Sequence, residues 1–249
     1  MVVKTKQKQT LVDIHSERVD DIPVLLAELD EMRVPELINQ CFPTHGNWTG
    51  LSLGHLVASW LTFNMSQSNH RLSHLRSWAA PRLRTLSACL NVPLVETDFT
   101  DDRLAQALDY LSDDEGWREF EDALNGHLVR IYDLNGDLVR LDSTTASSYG
   151  QITADGLLRF GHSKDHRPDL PQLKINVSTL DPLGLPLTAT IVSGEKADDP
   201  LYIPEIDRVR ATLQRHGLLY VGDSKMAALE TRVHGAAREA KRATVGTAT

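Results

Sequence analysis

Two runs in this chain carry an apolar strand pattern into a carboxylate. Leu138-Val139-Arg140-Leu141-Asp142-Ser143-Thr144-Thr145 leads to Asp142 and then to small hydroxyl residues. Leu218-Leu219-Tyr220-Val221-Gly222-Asp223-Ser224 repeats the arrangement further on. Both read as buried strands that present an aspartate at a sheet edge, where loops usually carry function. Hard divalent cations take oxygen ligands, so the two carboxylates, brought side by side, would make a site for Mg²⁺ or Mn²⁺.

The elements that must position them follow from the periodicity. From Ile22 to about Leu90 the pattern is helical. Pro35 suits the first turn of a helix through Ile38, and Ser52 caps an amphipathic helix carrying Leu53, Leu56, Val57, Trp60 and Leu61. Shorter helices are expected at Leu72–Trp78 and Leu83–Leu90, before Asn91-Val92-Pro93 breaks the run. A helix with Leu104, Leu108 and Leu111 in phase precedes Ser112-Asp113-Asp114-Glu115, a capping box. That box opens a helix with the stripe Trp117, Phe120, Leu124, Leu128 and Ile131. Residues 1–133 therefore read as a helical module suited to DNA binding or dimerisation.

After Asn135-Gly136, a strong turn signal, the period becomes that of strands. The Asp142 strand comes first, and Asp155-Gly156 predicts a hairpin turn before Leu157–Gly161. Leu173, Ile175, Val177 and Thr179 alternate with Lys174, Asn176 and Ser178, and Asp181-Pro182-Leu183-Gly184 turns the chain into a returning strand, Leu185–Val192. Pro200 fits the first turn of a helix capped by Asp198 or Asp199, with Ile206, Val209 and Leu213 on its core face. A hairpin return, a crossover helix and a further strand give a mixed sheet with one parallel connection, which can set the Asp142 and Asp223 strands side by side. The expected architecture is α then α/β, with a core over 134–234 and a disordered tail over 235–249.

Composition narrows the class. The chain has 249 residues, 41% hydrophobic and 24% charged, as in an ordinary globular protein. No apolar run nears the roughly 18 residues of a membrane span, and residues 1–9 are basic and polar, so a cytoplasmic protein is expected. The formal charge of −8 argues against coating nucleic acid over the whole surface, and leaves room for a local patch or a metal. Cys41 and Cys89 lack partners at metal-ligand spacing and read as buried small hydrophobes.

Leu141-Asp142-Ser143-Thr144-Thr145 with Tyr149-Gly150, then Gly161-His162-Ser163-Lys164-Asp165-His166-Arg167-Pro168-Asp169-Leu170 and Gln172, resembles the DDE transposases of bacterial insertion sequences. Leu61-Thr62-Phe63-Asn64 and Asp101-Asp102-Arg103-Leu104 are similar to the group within that family that has a helical N-terminal domain. The resemblance runs from about Asp13 to His234. It implies a ribonuclease-H-like core in which two aspartates and a glutamate hold two Mg²⁺ ions. Asp142 matches the first aspartate and Asp223 the second. It implies DNA as partner, both element ends and target, and metal-dependent cleavage and strand transfer as the reaction.

One departure is marked. The third acid should lie on a helix well downstream, and only Glu230 and Glu239 follow Asp223, neither at the family's position. The segment after Asp223 also continues as Ser224-Lys225-Met226, where the family more often has an Arg-Gly type of sequence. The chain thus resembles the front portion of a transposase, expected to be weakly active or inactive alone. The alternative is a non-catalytic fragment that binds DNA or dimerises and so regulates transposition.

Blander readings stand beside these. An isolated strand-ending Asp is commonly a cap or turn residue, and it is the signature that favours the ligand reading for Asp142 and Asp223. Lys164, His166 and Arg167 could contact DNA phosphate, order the active-site loop or form a solvated basic turn. His162 and His166 fall on a loop or strand, which disfavours a zinc pair. Trp60, Trp78 and Trp117 read as core, and the cluster Lys4–Lys8 as a charged tail. Neither a glycine-rich phosphate loop nor a Gly-x-Ser-x-Gly elbow is present.

Overall fold

The computed structural model describes residues 16–134, 136–164 and 166–235. Thr10–Ile14, whose weak alternation reads as a short strand, lies outside the described residues, as do the Lys4–Lys8 cluster, Asn135, Asp165, Glu239 and the tail from 236 onward. The chain divides into two compact units, 1–116 and 117–249.

The first unit is helical: α1 (Ile22–Glu31), α2 (Val34–Cys41), α3 (Leu53–Gln67), α4 (Leu72–Ala79), α5 (Leu83–Leu90) and α6 (Asp101–Leu111). Ser52 caps α3 as its residue type predicts, its Oγ accepting from His55 N at 3.2 Å. Pro sits in the first turn of both α1 and α2. Ile22, Ile38, Leu53, Leu56, Phe63, Leu75, Leu86, Phe99 and Leu104 are fully buried and form the core. Trp78 joins it, whereas Trp117 of the following helix is 39% exposed. The cysteines are not core either: Cys41 is half-buried and Cys89 exposed.

Helix α7 (Asp114–Ile131) starts one residue later than the capping-box reading, because Asp113 rather than Ser112 accepts from the Gly116 N–H, at 2.8 Å. The unit division falls in its first turn, earlier than the boundary at 133 read from the sequence. The reason is the side chains of α7. Asn125 Nδ2 donates to Leu187 O at 2.5 Å, Glu121 accepts from Ala189 N at 3.0 Å, and Phe120 and Leu128 are buried.

The second unit holds β1 (Leu138–Ser147), β2 (Gln172–Leu180), β3 (Leu185–Ser193), α8 (Tyr202–Leu213) and β4 (Leu219–Val221). The sheet order is β3-β2-β1-β4; β1 pairs antiparallel with β2, β2 antiparallel with β3, and β1 parallel with β4. This is the α then α/β class and the mixed sheet expected from the pattern. The Asp223 strand is shorter than its apolar run, ending at Val221. Leu157–Gly161 forms a single bridge, Arg159 to Gln172, instead of a strand. There the Arg159 guanidinium folds back onto the carbonyls of Thr153, Ala154 and Leu158 and closes a loop.

The β2 alternation is present, and the face it buries is the polar one. Gln172, Lys174, Asn176, Ser178 and Leu180 are buried, while Leu173, Ile175, Val177 and Thr179 are half-exposed. Directly paired residues share a face, so Ser143 opposite Asn176 and Thr145 opposite Lys174 extend this polar layer onto β1. Glu205 of α8, 1% exposed, closes it by accepting from the hydroxyls of Thr188 and Thr190. An apolar cluster of Leu134, Val139, Leu180, Leu187 and Val209 adjoins it. Burying polar groups is tolerable only when they are paired, and most here are. The Asn176 amide, fully buried, has no hydrogen-bond partner among the described residues.

The outer edge of β3 is occupied as well. Besides Glu121 and Asn125, Arg208 donates to Ala189 O at 3.1 Å, so side chains take up backbone groups that would otherwise invite another strand. Among the described residues no helix is long and apolar enough to cross a membrane.

Candidate functional site

Asp142 lies on β1 at a solvent-exposed position, on the face opposite Leu141 and Ser143. One carboxylate oxygen accepts from the following N–H, Ser143, at 2.9 Å. Parallel pairing of β1 with β4 aligns Arg140 with Val221. The pairing ends there with β4, and Asp223 follows two residues beyond it, so the two aspartates come from adjacent strands. Asp223 is exposed in the bend after β4, where its carboxylate accepts from Lys225 N at 3.0 Å and caps the 3-10 turn Ser224–Ala227.

Tyr202 ties the pair to α8. Its buried hydroxyl donates to Asp223 Oδ1 at 2.7 Å. Burial, that hydrogen bond, and then the charges of Asp223, Asp198 and Asp142 push the phenol pKa up. Asp223 itself is held below its ordinary pKa. Burial opposes this, and the Tyr202 hydroxyl, the N–H groups of Lys225 and Met226 and the charge of Lys164 outweigh it.

Asp198 is the site residue that the sequence reading missed. It forms no side-chain cap for the 3-10 turn Asp199–Leu201 that leads into α8. Its carboxylate, 1% exposed, turns under the sheet. There Oδ1 meets Lys174 Nζ at 2.5 Å and accepts from Ser143 Oγ at 3.1 Å, while Oδ2 meets Lys225 Nζ at 2.5 Å and Lys164 Nζ at 3.8 Å. Burial works to raise its pKa, but the Lys174 and Lys225 hydrogen bonds, with the Lys174 charge and the Ser143 hydroxyl, hold it well below the carboxylate range. No local signal could have found this cluster, because its members come from β1, β2 and three separate loops.

The signature segment splits. Lys164 turns inward, its ammonium donating to Ser143 O and reaching Ser143 Oγ at 3.3 Å. This is an internal role beside Asp223 and Asp198 rather than a freely solvated basic turn. His166 is exposed with a positive φ of 56°. Arg167, also exposed, grips Asp169 through two hydrogen bonds of 2.8 and 2.7 Å and lies 6.0 Å from the Tyr149 ring, contacts that order the loop. Gln172 pins the base of the loop, donating to His162 O at 3.0 Å and Gly194 O at 3.1 Å. A Cβ at Gly161 would collide with the Gly194 carbonyl, so a side chain there is excluded by close backbone approach.

Asp142 and Asp223 are oxygen donors of the kind a hard cation takes. Among the described residues no group of three or more His, Cys, Asp or Glu could hold a metal ion. The two carboxylates fall short of a two-ion cage; a Mg²⁺ held by one or two carboxylates keeps several waters. Glu230, the one described glutamate after Asp223, is exposed on a short helical turn after it. No protein-family model matches this chain, and neither a curated protein nor a solved structure matches it.

Proposed function

We propose that the second unit is a ribonuclease-H-like core and that the protein acts in DNA transposition, with Asp142 and Asp223 as ligands for Mg²⁺ or Mn²⁺. One observation supports the reading: β1, which carries Asp142, pairs parallel with β4, the strand that leads into Asp223. The sheet order, antiparallel on one side of β1 and parallel on the other, is compatible with it.

A cation held there would polarise a backbone phosphate and activate a water or a 3′-hydroxyl for in-line phosphoryl transfer. The chain's own residues have separate tasks. Asp142 and Asp223 supply oxygen donors, Tyr202 fixes the Asp223 carboxylate, and Lys164 offsets the charge of Asp223. With two acids assembled among the described residues, catalysis by this chain is expected to be weak or absent. Purified protein is incubated with insertion-sequence ends and Mg²⁺ or Mn²⁺. Robust cleavage that survives Asp142→Ala would sink the assignment.

Because no third acid joins Asp142 and Asp223 in a metal-holding group among the described residues, a second reading stands beside it: a protein that binds DNA or pairs with a transposase without catalysis. Sequence-specific gel shifts in EDTA that persist in Asp142→Ala would support it.

A further inference from the structure

Three ammonium groups gather around one buried carboxylate, and the bonding of each lysine shows which of them is usable. An ammonium carries three donors and no acceptor. Lys174 is buried and directs its protons to Asp198 Oδ1 and Lys196 O, each at 2.5 Å. Lys164 turns its protons to Ser143 O and Ser143 Oγ. Lys225 differs: its side chain is 46% exposed, and among the described residues its ammonium makes one hydrogen bond, to Asp198 Oδ2 at 2.5 Å. Two of its donors are thus left for the solvent side, two residues after Asp223.

The anchoring matters because a free lysine loses rotamer freedom when it binds. Here Asp198 already holds the chain. Lys174 and Ser143 both occupy its Oδ1 from the far side, which leaves Oδ2 to Lys225. The backbone is fixed too, since Lys225 N donates to Asp223 Oδ1. A cation is also needed at this place. Asp142 and Asp223 repel an approaching phosphate, and a chain of net charge −8 gives no general attraction for a polyanion.

We propose that Lys225, positioned by Asp198, is a contact for a backbone phosphate of a nucleic acid beside Asp223. The identity of the polymer rests on the function proposed above; the geometry of the cation does not.

The test is a fluorescence-anisotropy titration of the full chain with a labelled DNA duplex in EDTA, repeated over a range of salt. Each phosphate contact contributes about 0.9 to the slope of log K against log salt. Lys225→Ala should lower the slope by roughly that amount and Lys225→Arg should restore it, with circular dichroism showing both variants folded at the temperature of the titration. Arg118→Ala, the same charge change at an exposed position on α7, should leave it unaltered. An unchanged slope in Lys225→Ala, an equal fall in Arg118→Ala, or no DNA binding by the parent chain would overturn the proposal. So would inorganic phosphate perturbing the Lys225 ammonium resonance where DNA does not. Because metal is withheld, a fall specific to Lys225 stands even if Mg²⁺-dependent cleavage is never observed.

Discussion

Lys174 Nζ lies 2.5 Å from Asp198 Oδ1 with both side chains removed from water, one on the middle of the sheet and the other at the approach to α8. A buried pair of this kind adds little net stability against an apolar replacement, yet losing one partner strands the other charge. Asp198→Asn is therefore expected to cost about 3–5 kcal/mol in urea unfolding at neutral pH. A cost under about 1 kcal/mol would mean that the lysines find solvent when the carboxylate is gone.

The same pair sets a pH dependence. The folded pKa of Asp198 is depressed, so its contribution is complete above the unfolded value and is lost as pH falls toward the folded one. The stability gap between the parent and Asp198→Asn should be constant from neutral pH down to about 4 and shrink below it. A gap that widens on acidification would reverse the assigned sign.

Tyr202→Phe removes the hydroxyl that lowers the Asp223 pKa. The Asp223 carboxyl is expected to titrate at higher pH, as followed by its carbon resonance. Hydrogen bonds to charged groups contribute about 1.5–3 kcal/mol, and stability should fall by no more than that. An unmoved titration would remove Tyr202 from the site.

Asp142→Asn should weaken Mg²⁺ binding by about tenfold or more in calorimetry. It should leave the melting temperature nearly unchanged, since the exposed carboxylate bonds only the adjacent N–H among the contacts seen. Equal Mg²⁺ affinity in the parent and the variant would argue that the carboxylate is simply a strand-surface residue.

Asn176→Val places a strand-favouring apolar side chain where an amide is buried without partners. Stability should be unchanged or raised by up to about 1 kcal/mol, against the loss usual for a core substitution. A loss above about 2 kcal/mol would show that the amide has a partner in solution.

Much of the fold is written locally. Ser52, Pro35, the Leu and Val spacing of the helices and the Asp181–Gly184 turn specify their elements through contacts a few residues apart, which is why the helices and the β2–β3 return fall where the pattern puts them. The order helices first, sheet second was legible for the same reason. So were Asp142 and Asp223 as residues of interest, from the apolar runs before them and the signature between them. What periodicity could not supply was which face of β2 is buried. Alternation is symmetric, and only the packing of α8, bringing Glu205 onto Thr188 and Thr190, turned the polar face inward. Nor could it find Asp198, which by type and position is an ordinary helix cap. Its partners Lys174, Lys164, Lys225 and Ser143 are scattered along the chain, and only the tertiary structure gathers them, because a buried charge must find its counter-charges wherever the fold brings them.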